Sequence, residues 1–318
     1  MPKQIFIFIF SIFSVIYSNI TLADNTQTVD VEIDNTKLYK PFILAQTVQS
    51  TNTKGITNKV INALKKARYD VIGQYSPYSN TEIIIISSPK LRRIASKSKN
   101  GIYGAVQRVS ITTLGDTTQL AFTNPSYIAH AYRMKTDLAD VSNHLKKVLG
   151  FTKEYGSEFG ASRFKLRNYQ YRFMMMPNFT DRLELAEYPN HQAALNAVHA
   201  SLQKNDAGVT KIYQLDLKGK NETIIGVKMA GNSASECSSD EFIMKNIDFR
   251  KIKSSGHLPY EMIIQNGTVY ALFAEFRIAM NFPDLSMVGD NSFMSIMCTP
   301  DAILEALTIA AGGELENW

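Results

Sequence analysis

The stretch YEMIIQNGTVYALFAE, residues 260–275, decides the fold. Two apolar runs flank Asn266-Gly267, the pair favoured in a two-residue type I′ turn because both central positions need positive φ. An antiparallel hairpin over residues 260–265 and 268–275 is therefore expected. Upstream, residues 211–217 and 222–229 read as two strands and residues 183–188 as another. Residues 191–203 read as a helix with Ala194, Leu195, Val198 and Leu202 on one face. Downstream, Thr299-Pro300 starts a helix, since proline suits a first helical turn. Ile303, Leu307 and Ala311 align along that helix up to Gly312.

The first half of the chain carries the same order of elements. A strand at 44–48 precedes a helix at 55–67, where Ile56, Val60, Leu64 and Ala67 share a face. Strands follow at 71–75 and 81–86. A polar, basic segment at 90–101 leads to a hairpin at 109–114 and 119–123, turning at Gly115-Asp116. Asn124-Pro125 stops that strand because proline lacks the ladder donor. A helix at 138–149 ends at Gly150. Thr81-Glu82-Ile83-Ile84-Ile85 parallels Asn221-Glu222-Thr223-Ile224-Ile225, and Leu120-Ala121-Phe122 parallels Ala271-Leu272-Phe273. The expectation is an α+β protein made of two tandem copies of a small domain, each an antiparallel-rich sheet with helices packed on one face. The expected boundaries are 1–23 for a signal peptide, 24–150 for the first domain, 151–182 for a linker or extension, and 183–318 for the second domain. Within the connection, residues 169–176 suit a strand or a packed extension. A length of 318 residues agrees with two domains.

With its TEIIIISSPK strand and LAFTNPSYIAHAY strand exit, this order of elements resembles the bacterial family called domain of unknown function 302. Residues 44–149 carry the better match, and residues 183–312 look like a diverged second copy. The resemblance implies small α+β domains, often in exported proteins, and assigns no catalytic residue. Many members place a histidine soon after the first helix and its following strand, where this sequence has Gln74-Tyr75-Ser76.

Lys3, an apolar run at 5–17 broken by Ser11 and Ser14, and Thr21-Leu22-Ala23 together read as a secretory signal. The run is shorter than the roughly 20 residues that span a bilayer. The mature chain is expected to begin near Asp24, in the bacterial periplasm or outside the cell, with no transmembrane anchor after cleavage. In such an oxidising space the only two cysteines, Cys237 and Cys298, either form a disulfide or remain as two buried thiols.

Charge is divided between the halves. Residues 24–150 hold 17 Lys+Arg against 9 Asp+Glu, whereas residues 183–318 hold 10 against 17. Lys90, Arg92, Arg93, Lys97 and Lys99 cluster in the segment equivalent to the one holding Glu236, Asp240, Glu241 and Asp248. Complementary fields of this kind would orient an intramolecular contact between the domains. The other reading leaves both segments as solvated faces. Export and the acidic second half argue against nucleic acid as a partner.

The sequence has no Gly-x-Ser-x-Gly, His-Glu-x-x-His, phosphate-loop, Gly-x-Gly-x-x-Gly or Cys-x-x-Cys motif. His191 and His199 are too far apart on one helix for an i, i+4 metal pair, and His130 and His144 read as exposed. Met280, Met287, Met294 and Met297 beside Cys298 could supply soft ligands, but lack a repeating Met-x-x-Met and read better as core filling. Met174-Met175-Met176 likewise reads as packing. The densest polar cluster is His257-Leu258-Pro259-Tyr260-Glu261 at a strand entrance. The expected function is therefore a non-catalytic binding module without cofactor, taking a small ligand or an envelope protein between the domains or over the sheets. The candidate binding residues are His257, Tyr260, Glu261, Lys90, Arg92 and Arg93. The competing reading is a metal- or thiol-dependent activity using His257, Glu261, Cys237 and Cys298.

Overall fold

Caps and turns punctuate the chain into short elements. The structure is a computed structural model that describes residues 36–170, 178–231 and 236–315. The expected signal peptide, Met174-Met175-Met176 and most of the strand expected at 169–176 lie outside the described residues.

The first half runs β1 (Leu38–Tyr39), β2 (Phe42–Gln49), α1 (Thr53–Lys66), β3 (Asp70–Tyr75), β4 (Thr81–Ser87) and α2 (Pro89–Ala95). A 3-10 turn (Gly101–Gly104), β5 (Gln107–Leu114), β6 (Thr117–Thr123), α3 (Pro125–Ala131) and α4 (Ala139–Leu149) complete it. The connection contains β7 (Lys153–Tyr155), β8 (Ala161–Ser162) and α5 (Arg163–Arg167). The second half runs β9 (Arg182–Glu187), α6 (His191–Lys204), β10 (Val209–Leu217), β11 (Glu222–Met229) and α7 (Asp240–Ile247). A 3-10 turn (Ser255–His257), β12 (Tyr260–Gln265), β13 (Thr268–Leu272), α8 (Ala274–Asn281) and α9 (Thr299–Ala311) follow.

The two larger sheets have the orders β3-β4-β5-β6-β2-β7 and β10-β11-β12-β13-β9, and β1 pairs separately with β8. All these pairings are antiparallel, so the protein is α+β. Matched in chain order, the strands of the second half occupy the same places in their sheet as those of the first. β7 is an addition at one edge, which makes the connection part of the first sheet rather than a plain linker.

Local chemistry explains where the elements depart from expectation. The basic segment contains α2 because Ser88 accepts a hydrogen bond from Leu91 N and Pro89 occupies the first turn. In the acidic segment Ser239 caps α7 through Phe242 N in the same way. Asn124-Pro125 ends β6 and also begins α3, since the Asn124 side chain accepts from Ser126 N. The last hairpin strand stops at Leu272 rather than at residue 275, and α8 starts at Ala274.

Helices cover one face of each sheet. α1 lies against β3, β4 and β5, while α6 and α9 lie on the second sheet. The stretch Phe293–Ala311 is apolar and long enough to cross a membrane, yet its α9 portion packs on α6, α8 and β9. On β5, Val109 and Ile111 alternate with Arg108, Ser110 and Thr112. The register puts Ile84 opposite Val109, and Ile83 and Ile85 opposite Ser110 and Arg108. All four isoleucines of β4 are nevertheless fully buried. Both faces of this sheet are therefore covered, which is why the strand reads as a continuous apolar run. The second cover comes from the other half: the turn Ser255–His257 lies on β4, β5 and β6, and the turn Gly101–Gly104 lies on β11. One apolar core thus continues from Leu64 and Ile84 to Val198 and Ile264, and both halves belong to a single compact unit.

Candidate functional site

The cluster read from the sequence at His257, Tyr260 and Glu261 comes together, but in the interior. The three residues are 0%, 2% and 5% exposed. Glu261 on β12 accepts a hydrogen bond from the Arg108 guanidinium on β5, so the ion pair joins the two halves across 153 positions. The Tyr213 hydroxyl on β10 donates to the same carboxylate oxygen at 2.7 Å. Gly226 makes that possible: it pairs with Glu261 in the sheet, and a Cβ there would sit 1.9 Å from Tyr213 Cε1. Arg277 on α8 approaches the other oxygen of Glu261 at 3.6 Å and lies over the Tyr260 ring at 4.6 Å. Its Nη2 donates to the carbonyls of His257 and Pro259.

His257 is fixed at both ring nitrogens. Asn281 Nδ2 donates to Nδ1 at 3.0 Å, so Nδ1 is the acceptor and Nε2–H faces the Tyr260 hydroxyl at 3.0 Å. Burial, then the charges of Arg277 and Arg108, hold the imidazole pKa well below its usual range, so the ring is neutral. These side chains are spent on one another. The arrangement can orient the two sheets, but it presents no open coordination position and no accessible general base.

The other predicted residues fall elsewhere. Lys90 pairs with Asp140 at 3.1 Å and Arg92 with Asp70 at 2.8 Å, both within the first half, and Arg93 is exposed on α2. Among the described residues these basic groups make no ion pair with the acidic segment around α7. Cys237 and Cys298 are bonded to each other, with Cα atoms 5.8 Å apart, so neither offers a thiol. His130, expected at the surface, is buried, with its ring packed edge-on against Tyr39. His144 is exposed and stacks on Tyr69, while His191 and His199 bond Thr223 and Gln214. Among the described residues no group of three or more His, Cys, Asp or Glu side chains could hold a metal ion.

A cleft of about 350 Å³ lies between β7 and the segment that follows α7. Its apolar surface comes from Tyr155, Ile247, Phe249, Ile252, Phe282 and Leu285, its cationic groups are Lys40, Lys153, Arg250 and Lys251, and its carboxylates are Glu154, Asp248 and Asp284. Side-chain bonds from the first sheet hold the segment in place: Gln119 bridges Lys251 O and Lys253 N, and the Tyr155 hydroxyl donates to Lys253 O at 2.7 Å. Tyr155 and Ile252 also belong to a small apolar cluster with Phe42, Leu44 and Ala121, which forms the floor. Phe282 connects the wall to the interior, its ring edge-on to His257 at 5.4 Å.

Asp248 lines this cleft and also a second one of similar size, bounded by Tyr78, Thr112 and Lys245. Its carboxylate accepts from Ser254 N, yet burial pushes its pKa up to about 7. Asp240, at the other end of α7, is likewise raised to about 7 by burial, against a bond from Met229 N.

Sequence reasoning missed Arg108, Tyr213 and Arg277 in the interior, and Phe249, Lys251 and Phe282 in the cleft. The first group carried one signal: Arg108 and Arg277 each stand directly beside apolar residues, at Val109 and at Phe276 and Ile278. A charge in such a place must find a partner. The second group lies on a loop and a helix end, where no periodicity marks a lining residue.

Comparison of this chain with protein-family models, with curated proteins and with solved structures finds no match.

Proposed function

We propose that this chain is an exported, non-catalytic binding module that takes a small anionic molecule with an apolar body in the cleft between its two halves. The observation that carries the reading is the cleft lining: Phe249, Ile252 and Phe282 lie among the cationic ends of Lys153, Arg250 and Lys251. Apolar walls supply affinity, and a few charges fix orientation. Arg250 is engaged with Asp284 at 3.4 Å, Lys40 donates to Glu158 O at 2.9 Å, and Glu154 is paired with Lys146 at 3.2 Å, which leaves Lys153 and Lys251 as the principal anchors for an anionic head. The shared strand order supports descent of the halves from one ancestral domain, one that by its sequence resembles domain of unknown function 302. The interior His257 network is the support on which the cleft is built.

The test is fluorescence titration with 8-anilinonaphthalene-1-sulfonate, an aromatic anion of suitable size, followed by competition with medium-chain fatty acids. Saturable binding at one site is expected. Phe249→Ala combined with Lys251→Gln should weaken it about tenfold or more, without moving the melting temperature, because Phe249 is 51% exposed. Equal affinity of the variant and the parent protein would overturn the assignment.

A further inference from the structure

A second surface, beside the cleft but lined by other side chains, carries the chemistry of a membrane contact. Leu38, Phe159 and Phe164 are 53%, 74% and 67% exposed, the last two being the most exposed large apolar side chains in the described structure. They are neighbours through one small piece of architecture. β1 pairs with β8, placing Leu38 opposite Ser162. Gly160 packs so closely that a Cβ on it would lie 3.3 Å from Leu38 Cβ. Its φ of +80° turns the chain sharply after Phe159, and Ser162 then caps α5 through Lys165 N, which places Phe164 in the first turn.

Positive charge surrounds these side chains. Lys37, Arg163 and Lys165 flank them in sequence, with Arg167 turned to the carbonyls of Met134 and Arg133; the acids nearby are Glu158 and Asp284, and Asp284 accepts from Glu158 N at 2.7 Å. Burial, followed by the charges of Arg163 and Arg133, lowers the Arg167 pKa. Burial, followed by Arg163, brings that of His130 down to about 4, with Asp137 opposing. An anionic bilayer surface satisfies both features at once, because aromatic rings partition into the headgroup boundary and each nearby Lys or Arg adds attraction.

We infer that the β1–β8 ribbon and α5 form a docking surface for anionic lipid, with Phe159 and Phe164 entering the interface and Arg163 and Lys165 held against the headgroups.

The test is co-sedimentation of the full chain with vesicles of phosphatidylcholine, with and without phosphatidylglycerol. Binding to the anionic vesicles that weakens with added salt is expected. Phe159→Ala with Phe164→Ala should lower partitioning about tenfold or more on both vesicle types, and leave thermal stability unchanged because both rings are exposed. Arg163→Gln with Lys165→Gln should cost about fivefold per charge on anionic vesicles only. Absence of binding to anionic vesicles, or binding that the substitutions do not change, would overturn the inference. Concentration-dependent self-association abolished by the phenylalanine substitutions would overturn it in favour of a second copy of this chain. Failure of the cleft titration leaves this result unaffected, since the two surfaces share none of the substituted residues.

Discussion

Glu261→Gln tests the buried link between the halves most directly. In the native protein one carboxylate sits between two guanidinium groups, and Arg108, Glu261 and Arg277 are each no more than 5% exposed. Glutamine keeps the volume and one acceptor oxygen, so it makes no cavity. It leaves two buried cations without a counter-charge. Breaking a buried ion pair in this way costs about 3–5 kcal/mol. At about 2–3 °C per kcal/mol for a chain of this size, the melting temperature should fall by roughly 6–15 °C. Urea unfolding followed by far-ultraviolet circular dichroism gives the free energy, and the thermal scan gives the shift. Arg108→Met with Glu261→Met should cost less than the sum of the two single changes, because the partners leave together. A loss below about 1 kcal/mol for Glu261→Gln would refute the reasoning, since it would mean that the two arginines are neutralised or hydrated by other means.

Three further outcomes follow from the same geometry. Reduction of the Cys237–Cys298 bond, or Cys237→Ser with Cys298→Ser, should lower stability by about 4 kcal/mol in urea titrations, from the chain entropy of a loop with sequence separation 61. Asp248 has its folded pKa raised to about 7, so its burial is costless below pH ~4, and stability is progressively lost as pH rises through 7. Asp248→Asn should therefore flatten that slope and raise stability at pH 8 by up to about 4 kcal/mol, as read from unfolding curves across pH. Gly226→Ala should displace the Tyr213 ring and break its bond to Glu261, destabilising by about 1–3 kcal/mol, and by much less in a Tyr213→Ala background.

Sequence by itself determined the local structure of this protein. Asn266-Gly267 marks a two-residue hairpin turn, in which Asn266 takes the positive φ and Gly267 does not, so the turn departs from the type I′ expectation, and the spacing of Ile56, Val60 and Leu64 fixes a helix face. Ser88 and Ser239 show the limit of that reading: each caps a helix inside a segment whose charge made it look like loop. Tertiary structure alone decided what the charges do. Glu261 reads as an accessible binding group beside a histidine until Arg108 arrives from the opposite sheet, and His257 reads as a ligand until Asn281 and Tyr260 occupy its nitrogens. The cleft is likewise invisible in the order of residues, since its walls come from β7, the loop after α7 and the end of α8. Local pattern depends on forces acting over a few residues along the chain. A buried charge or a cavity depends on which distant surfaces exclude water between them, and that is settled only when the two sheets meet.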